Sequence, residues 1–228
     1  MRDALWLAAT MIIYLASRRL YERTRLAVLN PALVSIAAVV ALLALTRTPY
    51  PTYMRGGRLI AFWLGPAVVA LGVPLALQLE TVRRNVAGIA IGLALGALTG
   101  IVVAVGVATL AGATPIVVRS LAPRAATTPI AVAITARLDG IPALSAVVSI
   151  VSGAIGGFIG VPLLRALAVR SPLATGLALG AGAHGLGTAR AAGEGPVEGA
   201  AAGMAMGVVG VLTALLAPAV LALLGRLG

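Results

Sequence analysis

The chain has 228 residues, of which 61% are hydrophobic and only 10% charged, and its mean hydropathy is +1.09. Several apolar runs approach the ~20 residues that a helix needs to cross a bilayer, so we predict an all-α, multi-pass membrane protein with no separate soluble domain. The net charge of +11 comes from 17 arginines that lie mostly in short loops, which indicates membrane orientation rather than nucleic-acid binding. The absence of cysteine excludes disulfides, thiolate catalysis and Cys-ligated metals.

The first predicted span runs from Ala4 to about Ser17 and ends in a cluster of arginines at 18, 19, 23 and 25. Such a cluster is typical of a cytoplasmic loop, so we predict that the N-terminus lies outside. Span two runs from about Leu26 to Leu45 and begins near Asn30, which either caps the helix or belongs to a binding site.

The turn-rich segment TRTPYPTYMRGGR follows span two and predicts a loop. Span three, from about Leu59 to Leu79, is interrupted by Gly65-Pro66 and again by Gly72 and Pro74. Interruptions of this kind free backbone groups that a neighbouring helix or a polar cavity must satisfy.

Two helices carry glycine at every fourth position, which leaves one helix face without side chains. We predict that another helix packs closely on each of these faces. The glycines are Gly88, Gly92, Gly96 and Gly100 in span four, and Gly195, Gly199, Gly203 and Gly207 at the start of the last span, about Val197 to Leu224. The two series also suggest inverted repeats, about 26–112 and 141–226, within one domain 1–228 of about seven spans.

Between these repeats, Pro115 to Leu138 contains two apolar stretches that are each too short to span, which predicts a re-entrant hairpin with its tip near Pro123 to Thr128. Thr128 is placed to cap, and Pro129 to open, a helix whose unpaired N–H groups and positive dipole end would point into the protein. Arg124 stands just before this helix start and adds a full charge. Together with Thr127, these residues predict a site for a small anion, whereas the alternative is an arginine that only reaches the membrane interface.

The next span, from about Ile141 to Leu164, ends at Arg165 and Arg170, which we place on the inside. In the last part of the chain, Glu194 and Glu198 follow a further apolar segment, and we predict that they are solvated on the outside.

That segment contains the glycine-rich stretch GAGAHGLGTARA, Gly180 to Ala191, which predicts a second helix break near Gly185. His184, the only histidine, falls at the break, and Thr188 is placed to cap a half-helix that starts after it. His184 could be a packed histidine bonded to a carbonyl, but its position favours a ligand-binding or proton-carrying role. Because no catalytic triad, phosphate loop or metal-ligand cluster accompanies it, we predict no enzyme activity, no cofactor and no metal.

Five motifs resemble those of the LrgB/CidB family of membrane proteins, in the same order along nearly the whole chain. They are VLNPAL at 28–33, YPTYMRGG at 50–57, LGPAVVALGVPL at 64–75, SLAPRAATTPIA at 120–131 and AHGLGTA at 183–189. Two positions depart from the family patterns SLxPKSVTTPIA and SHGxGTA. Arg124 replaces a lysine, which keeps the charge but allows two bonds to one carboxylate, and Ala183 replaces a serine.

The resemblance implies one of two functions in the bacterial inner membrane. Bacterial members are described as holin- or antiholin-like modulators of murein hydrolase export and autolysis that act with a small LrgA/CidA-type partner. The plastid relative is a glycolate/glycerate translocator, and bacterial pairs are linked to pyruvate uptake. Two broken segments with polar residues at membrane depth favour a transporter of small monocarboxylates that works by alternating access, because a pore-former would not need them.

From this reading we expect a homodimer, a small carboxylate anion as the substrate and no nucleic-acid partner. The predicted substrate-binding residues are Arg124, Thr127, Thr128, Pro129, His184, Gly185, Thr188 and Asn30.

Overall fold

A computed structural model describes residues 2–24, 29, 31–63, 66, 76 and 79–225 of the chain. The chain divides into two compact units, Met1–Ala70 and Leu71–Gly228. Every secondary-structure element in the described ranges is a helix, as the sequence predicted.

The first unit contains α1 (Arg2–Thr24), α2 (Pro31–Leu45) and α3 (Tyr50–Phe62), and α1 contacts both of the others. The prediction of a loop in this region was wrong, because most of that segment forms α3. Pro51 lies in the first turn of α3, where a missing N–H is tolerated. Gly56 is buried against the Asp3 carbonyl, so glycine serves here as a close-approach residue rather than as a turn residue.

The second unit contains the other helical elements that the structure describes in full, among them the three longest helices. These elements are α4 (Leu79–Arg84), α5 (Val86–Leu110), α6 (Pro115–Leu121), a 3₁₀ turn (Ala122–Ala125), α7 (Thr128–Arg137), α8 (Pro142–Ala166), α9 (Pro172–Ala192) and α10 (Pro196–Leu223). Within the described ranges, α5, α8 and α10 are long and apolar enough to cross a membrane. The count of seven spans stays a prediction, and most of predicted span three lies outside the described residues.

Helix α9 reverses direction at His184 and is therefore a helical hairpin, which we call hairpin 2. A methyl group on Gly187 would collide with the Leu179 carbonyl, although eight residues of straight helix would separate the two by ~12 Å. Both limbs lie along the start of α10. In the first limb Gly180 contacts Ala202, and in the second limb Ala192 contacts Gly199.

The segment from α6 to α7 is also folded back on itself, and we call it hairpin 1. The Ile141 N–H donates to Ser120 Oγ at 2.7 Å, so the end of α6 lies beside the residues that follow α7. The two limbs are separated by the 3₁₀ turn and by two residues in extended conformation, Ala126 and Thr127. Limbs and break lie within the segment that the sequence predicted as a hairpin.

The hairpins enter the second unit from opposite ends. The buried residues of hairpin 1 pack with the last part of α5, around Val105, and the last part of α10, around Leu221. Residues of the first limb of hairpin 2 pack instead with the beginning of α5, around Leu93, and the earlier part of α10, around Val209. Because α8 connects the hairpins, it runs antiparallel to α5 and α10.

The order of a long helix followed by a hairpin therefore occurs twice, at 86–137 and at 142–192, in opposite directions. The predicted repeats 26–112 and 141–226 extend beyond the described residues and stay a prediction, as does the single-domain boundary 1–228.

Close packing of another helix on the first glycine series stays a prediction, because much of the chain just before this series lies outside the described residues. Methyl groups on Gly88, Gly92 and Gly96 would meet none of the described residues within 4 Å, and in this series only Gly100 makes a close contact, with Ala125. Several close approaches lie on hairpin 2 and on α8. There, a methyl group on Gly156 would lie 2.8 Å from Ala183 Cβ. Glycine thus allows the tip of hairpin 2 to press against α8.

Candidate functional site

The tips of the two hairpins meet inside the second unit. The 3₁₀ turn of hairpin 1 contacts α9 as well as α5, α6, α7, α8 and α10. Its residues Ala122 and Pro123 are fully buried. On the other side, a methyl group on Gly153 of α8 would lie 3.1 Å from the carbonyl oxygen of Ala183, at the tip of hairpin 2. Helix α8 therefore lies against both breaks.

Arg124 brings a positive charge to this junction. It belongs to the 3₁₀ turn, is half-buried, and donates from Nη1 to Ser152 Oγ of α8 at 3.1 Å. The 3₁₀ turn that carries Arg124 contacts α9, whose helical backbone is broken at His184. The two elements that the sequence singled out in separate motifs therefore lie in contact.

The start of α7 lies next to Arg124 but differs by one residue from the prediction. Thr127 occupies the N-cap position and Thr128 is the first helical residue, with Pro129 in the first turn. The Thr127 side chain makes no capping hydrogen bond, so its hydroxyl is not used to cap the start of α7. Thr127 and Thr128 are half-buried, whereas Pro129 is exposed. The α7 N-terminus thus follows Arg124 by three residues in the chain.

His184 forms the tip of hairpin 2 in a conformation that glycine adopts most easily, with φ 48° and ψ −127°. Its side chain is 4% exposed, and its buried Nε2 has no hydrogen-bond partner within the described ranges. An unpaired buried polar atom costs about 1–3 kcal/mol. The strain and the unpaired nitrogen both mark this position as one held for a purpose other than stability.

Thr188 lies one turn beyond the break and is also buried. Its hydroxyl donates to the His184 carbonyl at 2.8 Å and lies 3.8 Å from Met206 Sδ. The prediction that Thr188 caps a half-helix was wrong, because the second limb begins at Gly185, before Thr188. Thr188 instead supports the backbone at the break, and Gly185 is exposed beside it.

Two serines of α8 complete the site and were missed in the sequence. Ser152 anchors Arg124, and Ser149, one turn earlier, is 3% exposed with an unpaired hydroxyl among the described residues. The available signal was the recurrence of serine on one face of an otherwise apolar helix. Asn30, which was also predicted, lies outside the described residues.

An ion-pair cluster lies at the end of hairpin 2 that is opposite its tip. Glu194 bonds to Arg165 of α8 at 2.7 Å and to Arg190 of the second limb at 2.6 Å, and its side chain is only 18% exposed. The prediction that Glu194 is solvated on the side opposite Arg165 was therefore wrong. The reason is that α9 returns to its starting end rather than crossing to the other.

These features define an all-helical membrane protein in which two hairpins enter from opposite ends and meet at a buried polar junction. The LrgB-like family model matches residues 10–223, and the chain belongs to this family. Two relatives in Bacillus subtilis (strain 168), both named as uncharacterized proteins, are YxaC and YwbG. YxaC is 34% identical over 215 residues, which is 92% of each chain. YwbG is 32% identical over 209 residues, or 92% of this chain and 93% of the relative. No solved structure matches the chain.

Proposed function

We propose that the chain is a transporter of small 2-hydroxy or 2-keto monocarboxylates, of the glycolate, glycerate or pyruvate type, that works by alternating access. The observation that carries this proposal is the contact between the 3₁₀ turn of hairpin 1, which carries Arg124, and the broken helix α9, which carries His184 at its break. Broken helices that meet near the middle of a membrane protein are a recurring way to build a substrate site, because their ends supply unpaired backbone dipoles.

The carboxylate would bind to Arg124 and to the amides at the start of α7. Arg124 uses one of its donors on Ser152, which leaves the other donors of the guanidinium for a ligand. Charge-assisted bonds of this kind contribute about 1.5–3 kcal/mol each, so a single arginine is sufficient for the weak binding that a carrier needs.

The second oxygen of the substrate, a hydroxyl or a keto group, would be recognised by His184. Its unpaired Nε2 can donate to a keto oxygen or accept from a hydroxyl, depending on the tautomer. The substrate would thereby satisfy a nitrogen that has no partner within the described ranges. This argument favours substituted acids over acetate.

The test is uptake of radiolabelled glycolate and pyruvate by proteoliposomes that contain the full chain. We expect saturable uptake, weaker competition by acetate than by glycolate, and a loss of at least about tenfold in Arg124→Ala. Absence of saturable uptake, or an unchanged rate in Arg124→Ala, would contradict the proposal.

A holin-like or antiholin-like role in murein hydrolase export and autolysis predicts a different result in the same vesicles. The vesicles would then release a large entrapped dye without regard to the substrate. The proposal further includes a homodimer and a LrgA/CidA-type partner, which copurification of the tagged chain from its native membrane would test.

A further inference from the structure

A set of buried hydroxyls differs from the other helical hydroxyls of this protein. Serine and threonine in a helix commonly donate to the carbonyl four residues earlier, which satisfies the hydroxyl without any outside partner. Several here do so, namely Thr10, Ser17, Thr24, Ser35, Ser120 and Thr188. Four do not, and among the described residues their hydroxyls have no hydrogen-bond partner. They are Thr213 of α10 and a group of three on hairpin 1 and α8, namely Thr135, Ser145 and Ser149.

Ser145 and Ser149 lie on the same face of α8 as Ser152. Their spacing of four and three residues places the three side chains in one row, which extends about 10 Å along the helix axis. Ser145 is fully buried and Ser149 is 3% exposed. The opposite face of the helix carries Val147 and Val151, which are 58% and 50% exposed. The row therefore faces the protein interior and ends at Arg124.

The other end of the row lies at the open end of hairpin 1. Ser145 is one turn from Ile141, whose N–H bonds to Ser120, and a methyl group on Gly140 would lie 2.7 Å from Thr135 Cγ2. Thr135 is fully buried and adds its unpaired hydroxyl to this region. Unsatisfied hydroxyls thus occur along the whole stretch between the bundle end and the arginine.

We infer that Thr135, Ser145, Ser149 and Ser152 line a hydrated path by which a small anion reaches Arg124 from the hairpin 1 end. An unpaired buried hydroxyl is destabilising in a dry environment, and water or a passing polar solute removes this cost. An apolar residue would serve better at each position if the interface were permanently dry. The inference rests on the proposed function only for the identity of the anion.

The chain contains no native cysteine, so single-cysteine variants can test the path directly. The variants are Ser145→Cys and Ser149→Cys, with Val147→Cys on the outer face of the same helix as the matched control. Each is incorporated into proteoliposomes as the full chain and treated with the small anionic reagent 2-sulfonatoethyl methanethiosulfonate. The modified fraction is followed by mass spectrometry over time.

We expect the thiols at 145 and 149 to react at least about tenfold faster than the thiol at 147. The thiolate attacks the sulfenyl sulfur of the reagent, which forms a mixed disulfide and releases methanesulfinate. The thiolate forms in a hydrated path and is suppressed in an apolar surrounding. We also expect glycolate to slow modification at 149, because it occupies Arg124 next to that position. Complete reaction of all three variants after denaturation shows that each cysteine was present as a free thiol.

If the cysteines at 145 and 149 are modified no faster than the cysteine at 147, the proposed path is wrong. Fast modification that glycolate does not slow would support the path and count against a carboxylate substrate, so the two proposals fail by different results. Should a cysteine variant misfold, Ser145→Ala and Ser149→Ala give a second measurement. They are expected to reduce uptake at least threefold, on the order of one lost hydrogen bond, whereas Val147→Ala leaves uptake unchanged.

Discussion

His184 combines a strained backbone with a buried, unpaired side-chain nitrogen. A non-glycine residue in this conformation costs on the order of 1–3 kcal/mol. Glycine would remove the strain but also the imidazole. The position therefore separates the requirements of stability from those of the proposed substrate binding, and each can be measured on its own.

We predict that His184→Gly raises the stability of the purified protein while it abolishes specific uptake. After subtraction of the entropy cost of glycine, the gain is about 1 kcal/mol, or a rise in Tm of about 2–4 °C for a chain of this size. His184→Ala keeps the strain and serves as the matched control without that gain. Equal Tm values for the two variants in detergent would show that the backbone at this position is not strained.

Ser152 is a positioning residue for Arg124, because its hydroxyl accepts a bond from Nη1. We predict that Ser152→Ala raises the KM for glycolate about threefold to tenfold, which corresponds to one hydrogen bond of about 0.5–1.5 kcal/mol, with little change in maximal rate. Ser152→Thr retains a hydroxyl and should restore most of the affinity. A fall in maximal rate without a change in KM would refute a positioning role.

At the scale of elements, the breaks were predictable because Pro, Gly and charged residues interrupt otherwise apolar stretches around Arg124 and His184. The path of the chain after the second break was not. Helix α9 has 21 residues, about the length of one span, and its reversal is shown by tertiary contacts such as the one between Leu179 and Gly187. Length and hydropathy are the same for a span and for a hairpin with limbs of the same total length.

The glycines show a related limit of the sequence. A four-residue spacing indicates a smooth helix face, but it does not indicate whether another element covers that face. A methyl group on Gly88 would meet none of the described residues within 4 Å, whereas Gly180 lies against the backbone of Ala202. Both occur in similar Ala-rich and Leu-rich surroundings, so the difference depends on long-range packing.

We predict that Gly180→Ala destabilises the protein by about 1–3 kcal/mol, because the added methyl group collides with main-chain atoms that cannot move aside. Gly88→Ala is the matched control, since its methyl group meets none of the described residues within 4 Å. Replacing glycine there is expected to be neutral or to stabilise the helix by about 0.5–1 kcal/mol. Thermal unfolding of the two variants in one detergent compares them, and a larger loss for Gly88→Ala would refute the packing of hairpin 2 on α10.

For the whole molecule, composition was sufficient to predict an all-helical membrane protein, because apolar content and span length are summed properties of the chain. The sidedness of the loops was harder to predict, since arginine counts depend on where the chain crosses. Once α9 is a hairpin, the loop after α8 and the loop after α9 lie at the same end, as the pair between Arg165 and Glu194 requires.

This topology predicts labelling of single cysteines by a membrane-impermeant maleimide in intact cells. Leu167→Cys and Gly193→Cys should either both be labelled or both be protected. Asp139→Cys, at the other end of the 25-residue helix α8, should show the opposite result. The helix length of about 37 Å is sufficient to separate the two loops by a bilayer. Labelling of Asp139→Cys and Leu167→Cys from the same side would show that α8 does not cross the membrane. Labelling of only one of Leu167→Cys and Gly193→Cys would show that α9 spans the membrane and is not a hairpin.

Helix α8 carries the partner of Arg124 at Ser152 and the close contact with hairpin 2 at the very next residue, Gly153. A movement that loosens one tip therefore shifts the surface on which the other tip rests. Such mechanical linkage would oppose simultaneous opening toward both compartments, so that the membrane keeps its ion gradients while individual molecules of solute pass.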